Sequence, residues 1–452
     1  MRTSPGSAPT RGRRLRAAAA VLVVLASAAA VSTPAAGQPQ GAGLAGRWKL
    51  VFEIPDGRFD TPVEFSVAPD GAVTAAVLGA SLVRFDRGRL SGSELTLGGV
   101  SSYGPVQVTA TVRGDSLAGE WRISPALGGR VTGAREAAEG PALAPVAVFD
   151  SVWSTLDRAF FDPAFGGADW AEVRRRYRPR AEQARGDGEL VTVVREMLRE
   201  LKTSHLDFSA RGGALAMASS QGPAVAWRTV APGIGYLRVA EFRDGPEIIA
   251  AIDSAFAALQ GTEGLVLDLR GNPGGTLGAA MRIGDHLFTA PRPAGLFATR
   301  AGLARRGVRS IDALRGTPVP WFAGYGLDEF RAAMRAEGVV MLQTGGRAPA
   351  YTGRVVVLVD EGSASTTEGL ASVIKELGAG TLVGRTTAGA MLSSTQVTFP
   401  GGWVLRFPEA DFRTPGGSRV EGAGVAPDIR VERTETGDAE LAAALRLLGI
   451  VR

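Results

Sequence analysis

The residues best suited to covalent chemistry lie in two segments about ninety residues apart. These are GLVLDLRGNPGG at 264–275 and VVVLVDEGSASTTEGLASVIKELGAGTLVGRTTAGA at 355–390. Each reads as an apolar strand, a sharp turn and a helix. The second turn sets Ser365 at a helix start, where free backbone N–H groups and the helix dipole favour an anion. The first turn carries Gly274 and Gly275, which let the backbone approach a substrate carbonyl closely. One N–H from that turn together with the Thr366 N–H would make an oxyanion hole. This is the layout of an acyl-transfer enzyme, with a nucleophile beside donors for the developing charge. Ser363, Thr366 and Thr367 share the turn with Ser365, and local sequence does not choose among these hydroxyls. Plain helix capping accounts for any one of them taken alone.

A serine nucleophile needs a base, and the candidates are few. The chain has two histidines, His205 and His286, and three lysines, Lys49, Lys202 and Lys375. His205 follows a helical stretch in KTSHLDF, whereas His286 sits inside the helical run AAMRIGDHLF and reads as packing. Lys375 lies ten residues past Ser365 on the same predicted helix, too far along it to reach back. Lys202 precedes His205 by about one turn. A carboxylate should orient the histidine, and spacing alone does not identify it.

Composition narrows the chemistry further. The absence of cysteine removes disulfides, a thiol nucleophile and thiolate-bound metals, and with so little histidine no metal site or cofactor is expected. The formal charge of +5 is concentrated at one end. Residues 1–38 hold Arg2, Arg11, Arg13, Arg14 and Arg16 and no acid, so the remainder balances 45 basic against 45 acidic residues. No nucleic-acid partner is expected of a chain so balanced. Basic residues, then the apolar run AAAAVLVVLASAAAV at 17–31, then STPAAGQ, read as an export signal cleaved between Ala35 and Gln38. That run is shorter than the roughly 20 residues a membrane span needs, so a periplasmic or secreted protein without a stable span is expected.

The elements that must position these residues fall into three parts. Residues 44–135 alternate short apolar runs with Gly, Asp and Ser turns, as a small antiparallel barrel or sandwich does. The opening GRW and closing LAGEW…GGRVTGAR resemble lipocalin-like or avidin-like barrels, and no catalytic constellation appears in them. This domain is therefore expected to be dispensable for chemistry. After the linker EAAEGPALA, residues 145–210 hold three stretches of helical periodicity. From 230 to 435 strands alternate with helices, giving an α/β core. It is interrupted at 290–352 by a stretch long enough to be a lid or substrate-binding insertion.

The motifs LVLDLRGNPGG, VDEGSASTTEGLA, LVGRTTAGA and VEGAGVAPDI occur in an order that resembles the tail-specific, or C-terminal-processing, serine peptidases. The likeness is greatest to their tricorn-core branch and covers roughly 145–435. It implies the ClpP/crotonase-like fold, a spiral of strands with flanking helices, here behind a helical N-terminal subdomain and a small all-β domain. It implies Ser365 as nucleophile. Processing peptidases of this family place a lysine in TFGKG, at the position of Ala390 in this chain, so a Ser/Lys mechanism at that site is excluded. The tricorn-like branch uses a histidine instead, and Ser204-His205 matches its Ser-His pair, with Glu421 matching its glutamate. A PDZ domain needs roughly 80 residues, and only about two dozen separate His205 from GIGYLRV, so docking of substrate tails on a PDZ domain is not expected.

Together these readings predict an exported serine peptidase acting on peptides or unfolded protein through an acyl-enzyme. The catalytic set is Ser365, His205, Glu421 and Ser204, with Gly274, Gly275 and Thr366 around the oxyanion. A non-catalytic ligand carrier on the same fold, or an esterase using the same residues, are the competing readings.

Overall fold

The computed structural model describes residues 43–449 apart from 55–56, 80–82, 102–103, 125–126, 137–143, 211–222 and 435–436. The export signal expected over 1–38 and most of the linker at 136–144 lie outside the described residues.

Eight antiparallel strands come first: β1 (Gly46–Ile54), β2 (Gly57–Val67), β3 (Val73–Val77), β4 (Val83–Ser91), β5 (Glu94–Ser101), β6 (Gly104–Arg113), β7 (Ser116–Ser124) and β8 (Leu127–Arg135). They pair in the order β3-β2-β1-β8-β7-β6-β5-β4. The two edge strands nearly meet, where Ala72 bridges Arg89 and the Leu90 N–H donates to the Gly71 carbonyl at 2.8 Å. The period-two alternation turns one set of side chains inward. Trp48, Phe52, Phe65 and Trp121 fill the interior as edge-to-face aromatic pairs, and each such burial contributes roughly 1.5–3 kcal/mol.

Three helices follow: α1 (Pro145–Ala159), α2 (Trp170–Glu182) and α3 (Asp187–Arg199). Pro145 opens α1, where a missing N–H costs nothing. Asp169 caps α2 by accepting the Glu172 N–H at 2.9 Å. Their apolar faces meet in one core that includes Val152, Leu156, Val173 and Val194. The barrel is fastened to this layer. Leu78 joins the helical core, the Arg195 guanidinium donates to the Val77 and Gly79 carbonyls, Arg47 pairs with Asp187, and the Gly188 N–H donates to Glu64.

The remaining chain runs β9 (Asp207–Ser209), β10 (Val225–Ala231), β11 (Ile234–Val239), α4 (Pro246–Leu259), β12 (Gly264–Asp268), α5 (Leu277–Leu287), β13 (Arg292–Thr299), α6 (Arg300–Arg305), β14 (Trp321–Phe322), α7 (Leu327–Glu337), β15 (Val339–Thr344), β16 (Arg354–Val359), α8 (Thr366–Glu376), β17 (Thr381–Gly384), β18 (Ser393–Phe399), β19 (Trp403–Arg413), β20 (Ile429–Arg430) and α9 (Ala439–Leu447). One sheet has the order β10-β11-β12-β16-β17-β20, parallel from β11 to β20. Both of its faces are covered, so β12 and β16 are near-continuous apolar runs. A second sheet has the order β14-β15-β13-β19-β18, with β9 added along β19. The stretch 290–352 supplies three of its strands. Phe208 of β9 stacks on Trp403 of β19, ring centroids 5.3 Å apart, and this pair ties the second sheet to the helical layer.

Candidate active site

β12 and β16 are neighbours in the parallel sheet, with Asp268 opposite Leu358. The turns leaving their C-terminal ends therefore emerge side by side, the usual place for a site in an open parallel sheet. Hydrogen bonds stitch the two turns together. Asp360 accepts the Gly271 and Gly362 N–H groups, the Asn272 carbonyl accepts the Ala364 N–H, and Ser363 Oγ donates to the Leu269 carbonyl at 2.9 Å. Asn272 spans the turn, donating to the Val239 carbonyl and accepting the Gly274 N–H at 2.9 Å.

Ser365 sits at the head of α8 with φ 57° and ψ −123°. That backbone region strains any residue with a Cβ, at a cost of order 1–3 kcal/mol. The neighbouring hydroxyls are committed elsewhere. Ser363 is buried and donates to the Leu269 carbonyl, Thr366 Oγ1 donates to the Gly275 carbonyl at 2.8 Å, and Thr367 is fully buried, its Oγ1 without a hydrogen-bond partner among the described residues. Ser365 is the hydroxyl that faces an imidazole, with His205 Nε2 at 3.3 Å from its Oγ.

The His205 loop follows α3 and turns twice through positive φ, at Lys202 (48°) and His205 (59°). Thr203 Oγ1 and the Ser204 N–H both donate to Glu421 Oε1, at 3.1 and 2.8 Å. Ser204 Oγ lies 2.7 Å from His205 Nδ1 and 2.9 Å from Glu421 Oε2. The directions follow from the donor inventory. A carboxylate only accepts, so the Ser204 hydroxyl proton goes to Glu421 and its lone pair accepts Nδ1–H. The other nitrogen, Nε2, then presents its lone pair to Ser365. Glu421 thus reaches the imidazole through Ser204. Electrostatics at the ring are set by other groups: burial first, then the Arg406 guanidinium, push the His205 pKa down to about 4. The Glu421 carboxylate reaches the ring only through the intervening Ser204 hydroxyl.

Gly274 and Gly275 have φ of 95° and 131°, open to glycine. A Cβ on Gly274 would stand 2.7 Å from Ser365 Cβ and 3.0 Å from the Thr366 N, so this turn lies directly against the head of α8. The Gly274 N–H is already taken by Asn272. The Gly275 and Thr366 N–H groups have no partner among the described residues. Beside Thr366 opens a small apolar cavity of about 20 Å³ lined by Leu277, Met281, Gly369, Leu370, Met391 and Phe412.

The other residues weighed from the sequence lie apart. Lys375 donates to the Ala426 carbonyl and pairs with Asp428 at 3.0 Å, while Lys202 is exposed. His286 stacks on Phe256, bonded to Asp253 at 2.8 Å and to the Pro349 carbonyl at 3.1 Å. The Ala390 N–H donates to Glu368 Oε2, the same oxygen that takes the Ser365 N–H at 3.0 Å. Glu368 was not anticipated. It is buried, and its carboxylate also accepts from Thr387 and Gly389, fixing both Ser365 and the 387–390 loop. Burial pushes its pKa up against those donors. The spacing Ser365-x-x-Glu368 is a capping-box signature that would have marked it. Among the described residues no cluster of three or more histidine and carboxylate side chains is placed to hold a metal ion.

Comparison with known proteins gives this geometry a family. Residues 233–431 match the Peptidase family S41 model, and residues 145–199 match the Tricorn protease C1 domain. The chloroplastic C-terminal processing peptidase of Tetradesmus obliquus is 28% identical over 222 residues, 48% of this chain and 39% of the relative. The carboxy-terminal processing protease CtpB of Bacillus subtilis is 27% identical over 173 residues, 38% of this chain and 28% of the relative. The chain thus spans well under half the length of these relatives. Among solved structures, a candidate peptidase from Parabacteroides merdae superposes with a TM-score of 0.50 at 20% identity, covering 68% of this chain and 98% of its own. A lipoprotein from Streptococcus agalactiae does so with 0.50 at 12% identity, covering 69% and 99%. These two show the fold alone. The two matches fall in order on one chain, so a Tricorn protease C1 domain at 145–199 precedes a peptidase family S41 domain at 233–431.

Proposed function

We propose that this chain is an exported serine peptidase that cleaves peptides or unfolded protein through an acyl-enzyme. One observation carries the reading, the hydrogen-bonded run Ser365–His205–Ser204–Glu421. His205 Nε2 takes the Ser365 proton as Oγ attacks the scissile carbonyl. The tetrahedral oxyanion is met by the Gly275 and Thr366 N–H groups at the positive end of α8. As the intermediate collapses, the imidazolium gives its proton to the leaving amine, and water then releases the acyl group by the same route in reverse. Ser204 and Glu421 hold the ring in the Nδ1–H tautomer throughout.

The cavity beside Thr366 adjoins the oxyanion donors, so it receives the side chain on the acyl side of the bond. Its apolar lining and small size favour a small aliphatic residue there, with discrimination of roughly 10- to 200-fold per methylene-scale difference. A peptide library incubated with the chain tests both points. Cleavage after apolar residues, with labelling of Ser365 by a fluorophosphonate probe, is the expected result. Turnover of small acyl esters with no peptide cleaved would make it an esterase, and failure to label would favour a carrier.

Export rests on residues 1–38. No helix among the described residues is long and apolar enough to cross a membrane. Protein recovered from periplasm or medium should begin near residues 36–39 by intact mass, and a cytoplasmic chain still starting at Met1 would refute export.

A further inference from the structure

Arg406 stands apart from most part-buried arginines among the described residues. Arg195, Arg270, Arg282, Arg347, Arg385 and Arg413 each lie within ion-pair distance of a carboxylate. Arg406 has no carboxylate within that distance among the described residues. Its hydrogen bond there runs from Nε to Ser394 Oγ at 3.1 Å, which leaves the outer fork of the guanidinium unused. Asp207 stands directly across from it in the β9–β19 pairing, and that acid is the obvious partner. Asp207 is instead bonded by Arg195 at 3.1 Å, and Arg195 is held in place by the barrel carbonyls of Val77 and Gly79. The fold therefore brings an arginine out of bulk water and supplies its nearest acid with a different cation. A desolvated guanidinium without a partner is costly, and its planar fork suits a carboxylate.

Position says which part of a substrate would meet it. Phe208 and Leu405, paired across β9 and β19, turn into the helical core. Arg406 and Asp207 occupy the opposite face, and the Arg406 charge acts on the His205 ring. The acyl half of a substrate is taken up at the Thr366 cavity and the oxyanion donors. The imidazole faces the leaving half, because it protonates the departing amine. We infer that Arg406 is a specificity-determining residue that binds a substrate carboxylate on the leaving-group side of the scissile bond. This rests on the peptidase reading above. The carboxylate has two sources, the free C-terminus of a short tail or an Asp or Glu side chain just past the bond.

Two matched peptide pairs separate the sources. In the first, the leaving segment ends in a free carboxylate or a carboxamide. In the second, the segment is amidated throughout and carries Asp or Asn at the first or second position past the bond. A charge-assisted hydrogen bond is worth about 1.5–3 kcal/mol, so the wild-type chain should prefer the carboxylate by about 10- to 100-fold in kcat/KM, mostly through KM, in at least one pair. Arg406→Gln should bring the ratio close to one. If that variant fails to fold, Arg406→Lys decides, because it keeps the charge without the fork and its ratio must fall several-fold. A wild-type ratio within about twofold of one in both pairs would overturn the inference, as would an unchanged ratio in the variant that is read.

The same peptides, fluorescently labelled, are then titrated against the Ser365→Ala chain to read affinity without turnover. Arg406-dependent preference in binding with no hydrolysis by the wild-type chain would sink the peptidase reading and leave the Arg406 assignment standing. Hydrolysis without carboxylate preference would do the reverse.

Discussion

Replacing Ser365 by alanine is expected to lower kcat for peptide hydrolysis by roughly 10⁴- to 10⁶-fold, the scale seen when a nucleophile acting as a unit with its base is removed. Labelling by a fluorophosphonate should vanish with it. The fold should survive, because the side chain donates to nothing structural. Glu368 binds the Ser365 backbone N–H, which alanine keeps. Ser365→Gly supplies an internal control. At φ 57° and ψ −123° a Cβ is strained and glycine is not, so the glycine variant should be as inactive as the alanine variant yet more stable by about 1 kcal/mol. Chemical denaturation of the two variants reads this difference. Full activity in Ser365→Ala, with loss in Ser363→Ala or Thr367→Ala, would move the nucleophile.

Replacing His205 by alanine should cost roughly 10³-fold or more in kcat. The more discriminating measurement is the pH profile of the wild-type chain. The base must be neutral to take the Ser365 proton, so activity falls as pH drops through the His205 pKa. Burial and Arg406 push that pKa down to about 4. The acid limb of kcat/KM should therefore lie near pH 4, well below the roughly 6.5 of an exposed imidazole. Removing the nearby cation in Arg406→Gln favours the imidazolium and should move the limb upward. The same shift has a stability consequence. Between the folded value and the unfolded one the unfolded chain binds more protons, so this histidine's contribution is present above about pH 6.5 and is lost as pH falls toward 4. A limb centred at 6.5 and indifferent to Arg406 would show a solvated ring, and the hydrogen-bonded run would not operate as drawn.

The local elements were legible because their signals are local. The apolar runs at 264–268 and 354–359 declare strands buried on both faces, and the glycines and hydroxyl residues after them declare the turns. Helical periodicity marks α1 to α3, and two histidines left little choice of base. Resemblance, not spacing, picked Ser365 out of its four-hydroxyl turn and connected Ser204 with Glu421, more than two hundred residues apart. Tertiary structure decided the rest. Whether Ser363 or Ser365 faces the imidazole depends on how β12 lies against β16 and how their turns interlock through Asn272 and Asp360. That the stretch 290–352 lays strands into a second sheet depends on its pairing with β19, which no periodicity encodes. Arg406 is one of many arginines in the sequence. Its lack of a carboxylate partner among the described residues arises only when the barrel holds Arg195, Arg195 takes Asp207, and the strand register sets Arg406 opposite Asp207. Turn chemistry and hydrophobic period are properties of neighbouring residues, so the sequence by itself determined the strands, helices and turns. Burial, charge pairing and the pKa of the base are sums over residues brought together from distant parts of the chain, and only the folded register sets them.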